Sequence, residues 1–238
     1  MELAAMKELL AYGCKVLAFA GQTDGIWGHV SLRLPQEKLF LMKPAGLGLE
    51  EVTADDMITV NLDGEKVGGE RKIHSEVPIH SEILRARPDV NCVVHTHPTA
   101  PIVFSALDLP LLPLSNESCI FYEELPVYCA TSDLIREQSR GQELAQCLGD
   151  KRAVLLRNHG IVTAGGTVGE AILWALFLDK ACQRQLLALQ CGGPKHWSTP
   201  EDARAKKWKH GGKPGDGRMD VAFDYYVRQV KKMEGRVA

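Results

Sequence analysis

Three histidines and one glutamate carry the chemistry that this sequence can be expected to perform. The run Asn91-Cys92-Val93-Val94 reads as a buried strand ending in His95-Thr96-His97-Pro98. Side chains alternate along a strand, so His95 and His97 project to the same side. Two imidazoles so placed can hold a metal ion, although an H-x-H pattern by itself is more often a pair of hydrogen-bonded histidines at a strand end. His159 follows the apolar run Ala153 to Leu156, and Gly160 behind it permits a tight turn that would present the ring. Three histidines with an open position make the donor set of a catalytic zinc-type centre. Glu76 opens a helix that leads into the strand ending at His95, and a carboxylate at a helix start beside a metal is an acid/base candidate.

The elements that must position these residues follow from hydrophobic periodicity and turn chemistry. Leu3, Met6, Leu9, Leu10, Cys14 and Leu17 recur at helical spacing, with Gly21 as a stop. Ile26 to Leu34, Lys38 to Lys43 and Met57 to Leu62 read as short strands, with Asp63-Gly64 as a tight turn. Ser75 is placed to cap a helix over 76–87, with Pro78 tolerated in its first turn. Helices are predicted near Pro98 to Ala106 and over Ser132 to Leu148, with Ser132 as cap, and strands at Val127 to Ala130 and Ile161 to Ala164. Thr167 with Glu170 forms a capping box for a long helix to Cys191, which Gly192-Gly193-Pro194 ends. Residues 195–218 are polar, basic and glycine-rich, and a last apolar patch follows at Val221, Phe223, Tyr225, Tyr226 and Val230. With no internal repeat and no long linker, residues 1–238 are expected to form a single domain, with 195–238 as a C-terminal arm.

Composition narrows the partners. A formal charge of −2 over 238 residues gives no broad electrostatic reason to bind nucleic acid or an anionic membrane surface. No apolar run approaches the roughly 20 residues needed to cross a bilayer, and the first residues show no secretion signal. The seven cysteines are scattered and form no C-x-x-C pair, which suits buried thiols in a reducing compartment. A cytoplasmic protein acting on small molecules is the expectation.

Taken together, several linked motifs resemble the class II aldolase and adducin head family. They are Gly28-His29-Val30-Ser31-Leu32-Arg33, Lys43-Pro44-Ala45-Gly46, Thr53-Ala54-Asp55-Asp56 leading to Asp63-Gly64, Ser75-Glu76, His95-Thr96-His97 and Arg157-Asn158-His159-Gly160. The resemblance spans roughly residues 5 to 190. It implies a three-layer α/β/α sandwich around a central, mainly antiparallel sheet, and a homotetramer with active sites at subunit interfaces. It also implies one divalent metal ion per subunit on His95, His97 and His159, with Glu76 as acid/base. Zinc comes first for imidazole ligands, and manganese, magnesium and iron are alternatives. Substrate would meet His29, Ser31, Arg33, Lys43, Gly46, His74 and Ser75, and Tyr225 or Tyr226, from the C-terminal arm of the same or a neighbouring subunit, would close the site as a lid or proton donor.

The chain departs from the family's sugar-phosphate aldolases where those enzymes cradle phosphate. Their Asn in G-N-x-S, their Ser or Thr before the next loop's Gly, and their Ser-Ser pair before the acid correspond here to His29, Ala45 and His74-Ser75. Ala45 donates nothing, whereas His29, His74, Arg33 and Lys43 can bind a carboxylate or phenolic oxygen by charge-assisted bonds. The G-H-x-S form resembles family members that decarboxylate hydroxylated aromatic acids of the dihydroxyphthalate type. Decarboxylation is therefore the preferred expectation. Aldol cleavage of a small sugar phosphate is the alternative, and a non-catalytic, adducin-like assembly module the third reading. His80, one turn after Glu76, reads equally as a site residue and as a packed histidine. Arg33 reads equally as a structural ion-pair partner, Lys43 as a solvated charge, and Trp27 and Tyr122 as core or interface.

Overall fold

A computed structural model describes residues 1–35, 38–212 and 216–237. The first helix, α1 (Leu3–Phe19), is followed by strands β1 (His29–Arg33), β2 (Leu39–Met42), β3 (Ile58–Asn61) and β4 (Lys66–Gly68). Next come α2 (Val77–Ala86), β5 (Cys92–Thr96), α3 (Thr99–Ser105), α4 (Asn116–Ile120), β6 (Val127–Tyr128) and α5 (Gln138–Leu148). The hairpin β7 (Ala153–Leu156) and β8 (Gly160–Gly165) leads into α6 (Val168–Gln190), α7 (Pro200–Gly211) and α8 (Arg218–Val237).

The strands form one sheet in the order β4-β3-β2-β1-β5-β8-β7-β6, antiparallel throughout except for the parallel pair β6 and β7. Alternation along the strands splits the core in two. Val30, Leu41, Cys92, Val94 and Ile161 pack with α1, α6 and α8 on one face, while Phe40, Val60, Val93, Val154 and Val162 pack with α2 and α5 on the other. This is the expected three-layer arrangement with a mainly antiparallel sheet.

Several boundaries differ from the sequence expectation for local reasons. Ser75 lies outside α2, whose N-cap is Glu76 with no side-chain capping bond. The segment expected to begin a helix at Ser132 stays a loop until Gln138. Thr131 Oγ1 takes the Asp133 N–H and Asp133 Oδ1 takes the Leu134 N–H, which are local bonds that compete with helix formation. Thr167 caps α6 through the Glu170 N–H as read, but the Glu170 carboxylate takes the Gly166 N–H. Most of the described residues in the C-terminal arm are helical, in α7 and α8. α7 starts at a Thr199 cap with Pro200 behind it, and α8 buries Met219, Phe223 and Val230 against the α1–α6 face.

Candidate active site

The site lies at one end of the sheet on the α2 face, and strand register explains why its parts meet. His29 of β1 pairs directly with His95 of β5, and Thr96 of β5 pairs with Ile161 of β8. The β7–β8 hairpin closes with Leu156 opposite Gly160, so the three-residue loop between them holds His159 over the end of β5. Asn158 takes the left-handed conformation of that loop (φ 58°). Gly160 is needed for close approach rather than for the turn itself, because a Cβ there would stand 2.5 Å from Thr96 O and 2.9 Å from His97 Cδ2.

Glu76, His95, His97 and His159 bring one ligand atom each to within 4.8 Å of one another. The Glu76 Oε2 is 3.7 Å from His95 Nε2 and its Oε1 is 3.7 Å from His159 Nε2. His95 Nδ1 lies 2.9 Å from Ile161 O, and since a carbonyl only accepts, that nitrogen carries the proton and Nε2 is left with its lone pair. His97 Nε2 is 3.0 Å away from it. Asp24 Oδ2, 3.0 Å from His97 Nδ1 but outside hydrogen-bonding geometry, favours the proton on Nδ1 and so leaves a second lone pair facing the first. Both ring nitrogens of His159 are buried without a hydrogen-bond partner among the described residues. Leaving such groups unsatisfied costs about 1–3 kcal/mol each. Converging lone pairs and an unpartnered imidazole fit a divalent cation, and this donor set could hold one.

The electrostatics are those of a dry site. Burial holds His95 well below the usual histidine range, with His97 and His159 adding to the effect. His159 is pushed down to about 4, again chiefly by burial. Burial pushes the Glu76 carboxyl upward, against the Ile135 N–H that donates to Oε1 at 2.9 Å. In the metal-free protein these histidines are neutral near pH 7, which is the state that ligates metal.

A cavity of about 230 Å³ opens beside this group, lined by Ile26, Trp27, His29, Ala45, Gly46, His74, Ser75, Glu76, His97 and Leu134. Of the residues expected to meet substrate, His29, Gly46, His74 and Ser75 lie at the cavity. His74 Nε2 is 2.9 Å from Pro44 O and therefore carries the proton, leaving Nδ1 as an acceptor, and burial holds the ring neutral with a pKa of about 4. Neither His29 nor His74 is the charged donor that the sequence suggested, since burial pushes His29 well below its ordinary range too.

Ser31, Arg33 and Lys43 lie elsewhere. Ser31 Oγ is buried against His80 Nδ1 at 2.7 Å. Arg33 donates to the carbonyls of Leu84, Arg87 and Val90, the last two at 3.0 and 2.9 Å, so it closes the C-terminal end of α2 rather than meeting a ligand. Lys43 is fully buried, neither solvated nor at the cavity, with Nζ 3.3 Å from both Ile26 O and Pro44 O. Tyr225 and Tyr226 sit on α8, across the sheet from the site of their own chain, with Tyr226 edge-on to Phe19 of α1. Trp27, read as core or interface, stands exposed at the cavity mouth. The Ile135 amide and Leu134 were not foreseen, because nothing in a loop sequence marks a backbone N–H that will meet a carboxylate 59 residues away.

The model of the Class II Aldolase and Adducin N-terminal domain matches residues 8–186. The chain belongs to that family. Among class II aldolase relatives, a 3,4-dihydroxyphthalate decarboxylase of Arthrobacter keyseri is 35% identical over 202 residues, covering 80% of this chain and 81% of that protein. The meiotically up-regulated gene 14 protein of Schizosaccharomyces pombe is 37% identical, covering 74% and 71% respectively. A solved L-fuculose 1-phosphate aldolase from Glaciozyma antarctica superposes with a TM-score of 0.85 at 30% identity, covering 98% of this chain and 91% of that one. The class II aldolase resemblance read from the motifs is therefore established, and so is the fold it implied.

Proposed function

We propose that this class II aldolase family member is a divalent-metal-dependent decarboxylase of a hydroxylated aromatic or enol-forming carboxylic acid. The observation that carries the reading is the cavity wall. Two neutral imidazoles, His29 and His74, stand with ring centroids 4.5 Å apart, beside Ala45, Trp27 and Leu134. A phosphate site would instead converge several hydroxyl and amide donors, and among the described residues the one side-chain hydroxyl lining the cavity is that of Ser75. The similarity to a dihydroxyphthalate decarboxylase over most of both chains supports the same reading.

His95, His97 and His159 would hold the ion. Such a cation supplies Lewis acidity toward adjacent substrate oxygens, easing the build-up of the electron pair left when a carbon–carbon bond breaks. The chain's own residues do the rest. The Nδ1 lone pair of His74 accepts from a substrate hydroxyl, because Pro44 O holds the proton on Nε2. Trp27, Ile26 and Leu134 give the cavity an apolar rim against which an aromatic ring can lie. Glu76, oriented by the Ile135 amide, holds a proton more readily than a solvated carboxyl and delivers it to the carbon that carbon dioxide leaves. Solvent then reprotonates Glu76.

The imidazole-rich donor set puts zinc before manganese, magnesium or iron. A homotetramer, completing the cavity mouth where Trp27 is 59% exposed, and a cytoplasmic, reducing location for seven unpaired cysteines belong to the same proposal. No described helix is long and apolar enough to cross a membrane.

The second reading, aldol cleavage of a sugar phosphate, is favoured by the likeness to the L-fuculose 1-phosphate aldolase. One assay separates the two. Metal-replete protein is offered dihydroxyphthalates, hydroxybenzoates and ketose 1-phosphates, and both carbon dioxide and aldehyde are measured. Carbon dioxide from an aromatic acid is expected. Brisk aldehyde release with no carbon dioxide from any acid would establish the aldolase instead.

A further inference from the structure

Behind the cavity wall runs a chain of hydrogen bonds that neither metal binding nor proton transfer at Glu76 uses. His29 Nδ1 is 2.7 Å from His80 Nε2, and His80 Nδ1 is 2.7 Å from Ser31 Oγ. All three side chains are buried, His80 and Ser31 completely. The free end is His29 Nε2, at the cavity and 3.8 Å from Glu76 Oε2. We infer that Ser31 and His80 are positioning residues that fix the tautomer of His29, so that a neutral His29 ring presents its Nε2–H to the cavity as a donor to an anionic substrate oxygen.

The inference follows from counting protons in a chain whose members are all neutral. Two arrangements satisfy both short contacts. In one, the Ser31 hydroxyl donates to His80 Nδ1, His80 Nε2–H donates to His29 Nδ1, and His29 carries its proton on Nε2, facing the cavity. In the other every proton is reversed, His29 offers a lone pair, and Ser31 only accepts. The second arrangement leaves the Ser31 O–H buried with no acceptor, because His80 is its sole partner among the described residues. Stranding a buried hydroxyl proton favours the first arrangement on the order of ten- to a hundredfold. A serine three side chains from the substrate thus decides whether the cavity wall donates or accepts. No charge is gained or lost along the chain.

This deepens the hydroxy-acid reading of the cavity and rests on it for the nature of the ligand. His74 presents an acceptor and His29 a donor, which matches a molecule carrying a hydroxyl beside a carboxylate. A carboxylate binds an N–H and is repelled by a second lone pair, so specificity at this wall depends on the tautomer.

Long-range proton–nitrogen NMR on histidine-labelled, full-length protein reads the tautomer directly, with signals assigned through His29→Asn and His80→Gln. The wild type is expected to show Nε2–H for both His29 and His80. Ser31→Ala should abolish the preference and bring His29 to a mixture of tautomers, and Ser31→Thr, which restores the hydroxyl, should return it to Nε2–H. Binding of 2-hydroxybenzoate by calorimetry should weaken about twofold in Ser31→Ala, as half-population of the donor tautomer requires, and recover in Ser31→Thr. An Nδ1–H tautomer at His29 in the wild type, or a spectrum unmoved by Ser31→Ala, overturns the inference. An Nε2–H tautomer with no binding of 2-hydroxybenzoate, and binding of inorganic phosphate in its place, supports the relay while sinking the hydroxy-acid reading.

Discussion

Glu76 has two oxygens with different duties, and its substitution should separate them. One oxygen is held by the Ile135 amide, while the other faces His29 and His95. Glu76→Gln keeps the shape but cannot shuttle a proton, so kcat should fall roughly 10²- to 10⁴-fold. Metal content measured by mass spectrometry should stay near wild type, since three imidazoles remain. The neighbouring histidines also set a pH dependence of stability. Burial holds His80 at about 3 and His74 at about 4 in the folded chain, against an ordinary value of 6.5. Between those values and 6.5 the unfolded chain binds more protons, so stability is fully present above pH 6.5 and drains away as pH falls toward 3. Thermal melts of metal-free protein should therefore drop steadily below pH 6.5. His80→Gln should flatten the slope by about 1.4 kcal/mol per pH unit, which is one proton's worth. A melting curve independent of pH in that window would refute the assignment.

At the scale of elements, β1 runs beneath α2 and uses alternate residues for separate tasks. His29 meets the helix start at Glu76, Ser31 meets its middle at His80, and Arg33 binds carbonyls at its end. A strand advances about 3.3 Å per residue and a helix about 1.5 Å, so the four steps from His29 to Arg33 span nearly the length of α2. Arg33→Met should lower stability by about 1–3 kcal/mol in urea unfolding by stranding those carbonyls, with KM unchanged. Gly160→Ala should act on the metal instead. Its Cβ would collide with Thr96 O and lift the His159 loop, so metal affinity should fall roughly tenfold or more by competition with a chromogenic chelator.

The alternation of Cys92 to His97 and the apolar run before His159 already announced the strands and the histidines they bring together. The role of Arg33 was not legible, because a guanidinium bound to three carbonyls looks the same in sequence as one awaiting a carboxylate. Nor was the loop of residues 131–137, where short polar side chains outcompete a helix that the periodicity favoured. Tyr225 and Tyr226 were legible in sequence only as part of an apolar patch. Tyr226 packs edge-on to Phe19 of α1 while Tyr225 is exposed, and from that face neither reaches the site of their own chain.

For the molecule as a whole, a bound ion would tie three strands together at one end of the sheet. β5 supplies His95, its C-terminal extension His97, and the β7–β8 loop His159, all drawn against Glu76 of α2. Anything that binds the folded state alone stabilises it by mass action, about 2.7 kcal/mol at a hundredfold excess over Kd. Stripping the protein with a chelator should accordingly lower Tm, and restoring zinc should raise it in proportion to the logarithm of added ion. A Tm indifferent to both would argue for an adducin-like scaffold without a metal. The edges of the sheet bear on how copies of this chain meet. β4 has three residues and β6 only two, so neither edge offers a ladder long enough to template a neighbour's strand. Copies that associate must do so through helical faces and loops, and their union can be loosened by point changes on those surfaces while each sheet stays intact.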